Sequence, residues 1–99
     1  MGATEDLSKF IAELSYEDLP ESTINAAKAA ILDGFANMIA GSRQPVATIM
    51  TDYTKALGGT EHCTVVGHGF RTNAPSAAFV NGVFGHCLDF EIQGFPPTH

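Results

Sequence analysis

The feature that most constrains the fold is a run of small and apolar residues at positions 73–89 that ends in polar side chains. Asn73 is a good helix N-cap and Pro75 falls in the first turn, where a missing N–H costs nothing, so the run predicts a helix. The apolar residues lie on every side of that helix: Ala77, Ala78, Phe79, Val80, Val83, Phe84, Cys87 and Leu88. A helix that is apolar all round is normally buried inside a larger structure.

The end of this predicted helix carries His86 and Asp89, which are three residues apart in the sequence. Residues at this spacing are neighbours on a helix surface, with roughly 5–6 Å between their Cβ atoms. Gly82 and Gly85 lie beside them. Because glycine within a helix costs about 1 kcal/mol relative to alanine, we expect another backbone or a ligand to come close there. The sequence therefore predicts that this helix end forms one wall of a pocket.

The rest of the chain predicts a mainly α-helical bundle of about four helices with one short β-hairpin. Regular helical spacing of apolar residues places the other helices at residues 5–14 (with Thr4 as N-cap), 20–41 and 45–57. The β-branched segment 62–66 predicts a strand, and residues 70–72 can return beside it after a glycine-containing turn. A lone hairpin is marginal in water, so it should lie on the helices.

Composition indicates one globular unit and excludes several functions. The 99 residues carry a net charge of −6, and the five fixed cations are scattered singly, so nucleic acid and anionic lipid are not expected partners. The sequence has no run of 18 apolar residues, so a membrane span is not expected. The acidic N-terminus is unlike a secretory signal. Cys63 and Cys87 are too few and too far apart for a disulfide framework or a four-ligand zinc site. They are expected to act as small hydrophobes in a reducing compartment: the cytoplasm, or the mitochondrial matrix in a eukaryote.

The candidate chemistry is concentrated near the end of the sequence. His86, Asp89, Glu91 and His99 fall within fourteen residues. Histidine titrates near neutrality and burial can tune a carboxylate towards the same range, so this mixture favours proton transfer. A metal site is the rival interpretation, because His86, Asp89 and His99 could supply three ligands. No partner that would orient such ligands can be named, so the predicted site holds no metal.

A purely structural interpretation remains open for each of these polar residues. His86 could be a hydrogen-bonded core histidine, and Asp89 could accept bonds from loop amides at the helix end. His62 and His68 flank the predicted strand and are expected at the surface. Asp33 lies among apolar residues and is expected to help pack or cap a neighbouring helix.

A series of short motifs runs along almost the whole chain. In order they are Tyr16-Glu-Asp-Leu-Pro20, Ala29-Ala-Ile-Leu-Asp-Gly34, Ala40-Gly41, Thr64-Val-Val-Gly67, Ala77-Ala-Phe-Val-Asn-Gly82, His86-x-x-Asp89-Phe90 and Pro97-Thr-His99. In this order and spacing they resemble the MmgE/PrpD family, which includes 2-methylcitrate dehydratase, cis-aconitate decarboxylase and iminodisuccinate epimerase.

The resemblance implies a helical domain within a longer two-domain enzyme that is usually a homodimer and needs no metal or organic cofactor. The shared chemistry is proton transfer next to a carboxylate in a small di- or tricarboxylic acid. On this resemblance Asp89 is the active-site aspartate and His99 the first active-site histidine, whereas Gln93 stands where the decarboxylases have a pocket threonine. An amide can still donate a hydrogen bond to a carboxylate, so Gln93 and His86 are the predicted substrate-binding residues.

The remaining catalytic residues of the family correspond to positions beyond 99. The resemblance therefore implies that residues 1–99 are the N-terminal portion of the helical domain and are inactive alone. The alternative is a non-catalytic helical interaction or dimerisation domain that pairs through the apolar helix near residues 77–88.

Overall fold

The structure, a computed structural model, describes residues 2–90 of the chain. Within that range it confirms the mainly helical fold with one antiparallel hairpin. The elements are α1 (Ala3–Glu13), α2 (Glu21–Gly41), α3 (Pro45–Leu57), β1 (Cys63–Val65), β2 (Phe70–Thr72) and α4 (Ala74–His86). None of the helices in residues 2–90 has both the length and the hydropathy that crossing a bilayer requires.

The element boundaries follow local signals closely. The third helix has the predicted bounds, with Pro45 in its first turn and Gly58 as its C-cap at φ 69°. The fourth helix has the predicted N-cap, because the Asn73 side chain accepts a hydrogen bond from the Ser76 amide. The first helix departs from prediction: the Asp6 amide bonds the Gly2 carbonyl, so the first turn forms around Gly2 instead of Thr4.

The core lies where α4 packs on α3, β1 and the end of α2. Its buried residues are Ala47, Val65, Val80 and Phe84, with Met38, Met50 and Phe70 packed against them. The expectation that α4 is buried on every side is only partly met, because Phe79 on its outer face is 62% exposed. The chain therefore has a small core centred on one face of α4.

The helices α2 and α4 come closest at Gly41. A Cβ atom at this position would lie 1.9 Å from the Phe84 carbonyl oxygen, so only a residue without a side chain fits. At Gly82 and Gly85, where the sequence predicts the close approach of another backbone or a ligand, no other backbone within residues 2–90 comes close. A Cβ at Gly82 would have no neighbour within 4 Å, and one at Gly85 would only touch Met38 at 3.6 Å.

The hairpin is attached to α4 by one asparagine side chain. Asn81 accepts a hydrogen bond from the Val66 amide at 2.9 Å and donates one to the Thr64 carbonyl at 3.0 Å. These bonds satisfy two backbone groups at the end of β1. Because a two-stranded hairpin is marginal by itself, this attachment stabilises the predicted pairing.

The hairpin turn also contacts the end of α2. The Nε2 atom of His68 lies 2.8 Å from the Ser42 carbonyl oxygen, and the His68 ring centroid lies 5.5 Å from that of Phe84. His68 is therefore half-buried, and the expectation of a surface position was wrong. The reason is tertiary: its partner lies 26 residues away in the sequence. His62 is exposed, as expected.

The connector between α1 and α2 is held by one carboxylate. A 3₁₀ turn covers Tyr16–Asp18, and Asp18 Oδ2 accepts bonds from the Ser15 backbone N–H and the Ser15 hydroxyl, both at 2.9 Å. The backbone bond, followed by the hydroxyl bond, lowers the pKa of Asp18 from its ordinary value. Because the folded-state pKa of Asp18 is lowered, its two bonds to Ser15 stabilise the fold at neutral pH. This stabilisation is lost as the pH falls through the folded-state pKa.

The apolar stripe of α1 forms as predicted but faces solvent. Leu7, Phe10, Ile11 and Leu14 are 41–63% exposed, and α1 contains no buried residue. The outer face of α2 also exposes Ile31 and Phe35. An amphipathic stripe normally faces a core, so these faces are suited to contact with further protein.

The close approach at Gly41 predicts a large effect of a very small substitution. Gly41→Ala should lower the free energy of unfolding by about 3 kcal/mol, because the new methyl group forces the α2 and α4 backbones apart. Gly34→Ala in the same helix is the control, because a Cβ there meets nothing within 4 Å. It should be neutral or stabilising by up to about 1 kcal/mol. Urea unfolding followed by circular dichroism measures the free energy of unfolding of both variants. Equal stabilities would contradict the close approach of α2 and α4 at Gly41.

The asparagine attachment predicts a second effect on stability. Asn81→Ala should cost about 1–3 kcal/mol, because it leaves the Val66 amide and the Thr64 carbonyl without their partner. Asn81→Asp keeps the acceptor for Val66 but sets a carboxylate oxygen against the Thr64 carbonyl oxygen, so it should also destabilise the chain. The same unfolding experiment measures both variants, and unchanged stability in both would show that the Asn81 amide is not what attaches the hairpin.

Candidate functional site

An open groove of about 300 Å³ lies between the middle of α2 and the end of α4. It is lined by Ala30, Asp33, Gly34, Asn37, Met38, Gly82, Gly85 and His86. The space exists because Gly34 and Gly82 present no side chains and have no neighbours where a Cβ would stand. The prediction that the glycine side of α4 forms a pocket wall is therefore confirmed at the level of shape.

Two polar residues of α2 form a connected pair in this groove. Asn37 Nδ2 donates to Asp33 Oδ2 at 3.3 Å, across one helical turn. The same amide nitrogen donates to the Phe90 carbonyl oxygen, beyond the end of α4. Both hydrogens of the Asn37 amide therefore have acceptors, and α2 is joined to the segment that follows α4.

Asp89 lies in that segment and not on the helix. The last helical residue is His86, and the Asp89 amide donates to the His86 carbonyl at 2.8 Å in a turn beyond it. Asp89 has φ 57°, a left-handed conformation that few residues other than glycine adopt, aspartate being one of them. The expectation that His86 and Asp89 share a helix face is therefore wrong, because the helix ends between them.

The predicted site residues fall into two groups. His86 lines the groove, and Asp89 directly precedes Phe90, whose carbonyl is bonded by Asn37. The side chains of His86 and Asp89 are both exposed. Gln93 and His99 lie outside the described residues, so their roles and their distances from Asp89 stay predictions.

Two residues that line the groove, Asp33 and Asn37, were not predicted from the sequence as site residues. Asp33 was expected to pack or cap a helix, but its exposed carboxylate lines the groove. Asn37 was not singled out at all. The available signal was their spacing of four residues in a helix that is otherwise largely apolar, which places both on one face.

The described residues do not form a metal site by themselves. Within residues 2–90, no group of three or more histidine, cysteine, aspartate or glutamate side chains could hold a metal ion. The rival set of His86, Asp89 and His99 includes a residue outside that range. Both cysteines are free, and Cys63 is half-buried whereas Cys87 is exposed.

The groove has acidic and neutral polar groups but no lysine or arginine among its lining residues. Lys55 and Arg71 line a separate cleft of about 210 Å³ beside the hairpin. There the Lys55 ammonium lies 4.8 Å from the Phe70 ring centroid, and Arg71 donates to the His62 carbonyl at 2.6 Å. A polyanionic ligand in the groove would therefore need cations from outside this lining.

Three known proteins that are similar to this chain are cis-aconitate decarboxylases. Mouse (Mus musculus) cis-aconitate decarboxylase is 34% identical over 97 residues, which cover 97% of this chain and 20% of the relative. The Homo sapiens cis-aconitate decarboxylase is 33% identical with the same coverage. That of Aspergillus terreus is 29% identical over 83 residues, or 84% of this chain and 17% of the relative.

The chain spans about one fifth of the length of these relatives. No solved structure matches it. The model of the MmgE/PrpD N-terminal domain matches residues 5–91, which include α2, α3, α4, the hairpin, Asp89 and all of α1 except its first two residues. On that match, this chain belongs to the MmgE/PrpD family.

Proposed function

We propose that this chain is the N-terminal portion of a cofactor-independent lyase or isomerase that transfers a proton on a small di- or tricarboxylic acid. The observation that carries the proposal is the position of the family match. It runs through the end of α4, where His86 lines an open groove and Asp89 follows in a turn bonded to α2.

The proposed roles follow from the chemistry of each side chain. The Asp89 carboxylate accepts a proton next to a substrate carboxylate or orients the group that does so. His99 is the partner acid or base, because an imidazole exchanges protons near neutral pH. His86 and Gln93 bind the substrate through hydrogen bonds to its carboxylates.

The proposed active site needs residues in addition to those of this chain. A polyanionic substrate is held most strongly by arginine and lysine, and the groove lining has neither. With a net charge of −6, the chain by itself repels such a substrate. We propose that the cations come from the part of the family's length that this chain does not span.

The larger protein would also cover the apolar faces of α1 and α2. Burial of apolar surface contributes about 25 cal/mol per Å², so these exposed faces can stabilise contact with further domains or a second subunit. A homodimer in the cytoplasm, or in the mitochondrial matrix of a eukaryote, is part of this proposal and rests on the resemblance to the family.

The relatives decide which substrate to test first. The proteins from mouse and Aspergillus terreus are named as cis-aconitate decarboxylases, so cis-aconitate is the first candidate. Gln93 replaces the threonine that the resemblance places in the decarboxylase pocket, so 2-methylcitrate, the substrate of a dehydratase, is the second.

A non-catalytic helical interaction domain is the alternative, and the exposed stripe of α1 favours it. The sequence placed the pairing surface near residues 77–88, but Ala77, Val80 and Phe84 are buried in the core. Leu7, Phe10 and Ile11 of α1 are the better candidates for a pairing surface. Light scattering separates the two functions: a defined soluble dimer favours the interaction domain, and aggregation favours an incomplete enzyme.

The 99-residue chain alone should be inactive on both substrates. A general acid or base contributes about 10²–10⁴ in rate, far less than a complete active site. Product formation from cis-aconitate and from 2-methylcitrate can be followed by chromatography. Turnover that disappears in Asp89→Asn would show that the chain holds a complete site, contrary to the proposal.

A chimaera tests the role of Asp89 directly. This chain would replace the 97 matched residues of mouse cis-aconitate decarboxylase. Asp89→Asn should then lower kcat by about 10²–10⁴, because the amide cannot take up a proton. Asp52→Asn removes an exposed carboxylate from α3 and should leave kcat unchanged. A folded chimaera without turnover, or equal rates for the two variants, would count against the proposed function.

A further inference from the structure

We infer that Asn37 is a positioning residue that fixes the turn carrying Asp89 against α2. Its purpose in catalysis rests on the proposed function, in which Asp89 handles a proton. No role for Asn37 follows from the sequence motifs that the chain shares with its family.

The turn that carries Asp89 has weak support of its own. It lies beyond the last residue of α4, and both Asp89 and Phe90 have exposed side chains. Its internal hydrogen bond runs from the Asp89 amide to the His86 carbonyl. Because one internal hydrogen bond is the local support of this turn, a contact from another element adds to its stability.

Asn37 supplies such a contact from the middle of α2. Its Nδ2 atom donates to the Phe90 carbonyl, the backbone group that directly follows Asp89. The two residues are 53 positions apart, so this bond sets the turn relative to another helix and not merely relative to α4. Because Asn37 also lines the groove, the bond links the turn to one of the groove's lining residues.

The chemistry at this position favours an amide. Asp33 Oδ2 accepts one hydrogen of Asn37 Nδ2, and the Phe90 carbonyl accepts the other. Both acceptors lack hydrogens, so a group with two N–H bonds serves both at once. A hydroxyl can donate only one hydrogen, and a carboxylate can donate none. Asp33 therefore orients the amide, and the amide holds the turn.

The direct test measures solvent exchange of the Asp89 amide in the 99-residue chain by NMR. Asn37→Asp keeps the shape of the side chain but removes both donors. The Asp89 amide should then exchange about three- to tenfold faster, the effect of losing one supporting hydrogen bond. The Phe84 amide, in the core part of α4, should stay unchanged and reports that the fold is intact.

A charge-swapped pair separates positioning from helix stability. The double variant D33N/N37D restores a donor and an acceptor four residues apart on α2, but it leaves no donor at position 37 for the Phe90 carbonyl. Exchange at Asp89 should remain fast in this variant. Asn37→Ser, which can donate to only one acceptor, should be intermediate and serves if Asn37→Asp does not fold. Normal exchange in Asn37→Asp, or its recovery in the swapped pair, would overturn the inference.

The chimaera adds the catalytic readout. Asn37→Asp should lower kcat about tenfold and change KM by less than about twofold, since the substrate still binds while the proton acceptor is misplaced. The swapped pair should not recover kcat. Fast exchange at Asp89 without any loss of kcat would show that the Asn37 contact has a structural role but no catalytic purpose. An unchanged exchange rate of the Asp89 amide in Asn37→Asp would contradict the positioning role, whether or not Asp89→Asn is inactive.

Discussion

The contact between the α2 and α4 backbones at Gly41 is the constraint on which the arrangement of the chain depends. A single missing side chain lets the end of α2 lie against the Phe84 carbonyl. From there α4 carries the buried side chains of the core on one face and holds the hairpin through Asn81. Because the core is small, a displacement at this crossing would be transmitted to every element that contacts α4.

The same two helices leave a groove one to two turns away from their closest contact. Gly34, Gly82 and Gly85 keep it open, while Asp33, Asn37 and His86 bring polar atoms to it. The crossing and the groove are therefore two results of one distribution of glycine. This explains how a chain with few charged residues presents a polar concave surface at the edge of an apolar core.

Features of the fold that depend on a local signal were predicted correctly from the sequence. Pro45 and Gly58 mark the ends of α3, and Asn73 caps α4, because these residues act on backbone groups within a few positions. Features that depend on a partner distant in the sequence were not predicted. The partial burial of His68 depends on Ser42, and the bond from Asn37 to Phe90 joins residues 53 positions apart. Such pairings come from tertiary packing, which periodicity alone does not give.

The candidate site was predicted in part for the same reason. A polar helix end beside glycines was visible in the sequence, and His86 does line the groove. The end of the helix was misplaced because Cys87 and Leu88 continue the apolar pattern without continuing the helix. The apolar stripe of α1 was also visible, but no periodicity says what covers it.

The left-handed backbone of Asp89 separates what the fold requires at this position from what chemistry would require. Glycine and asparagine enter this conformation at least as easily as aspartate, so either could occupy the turn without strain. Neither offers a group that ionises. Mutational libraries sorted for folded protein should therefore accept all three residues, whereas libraries sorted for turnover should retain only the acid.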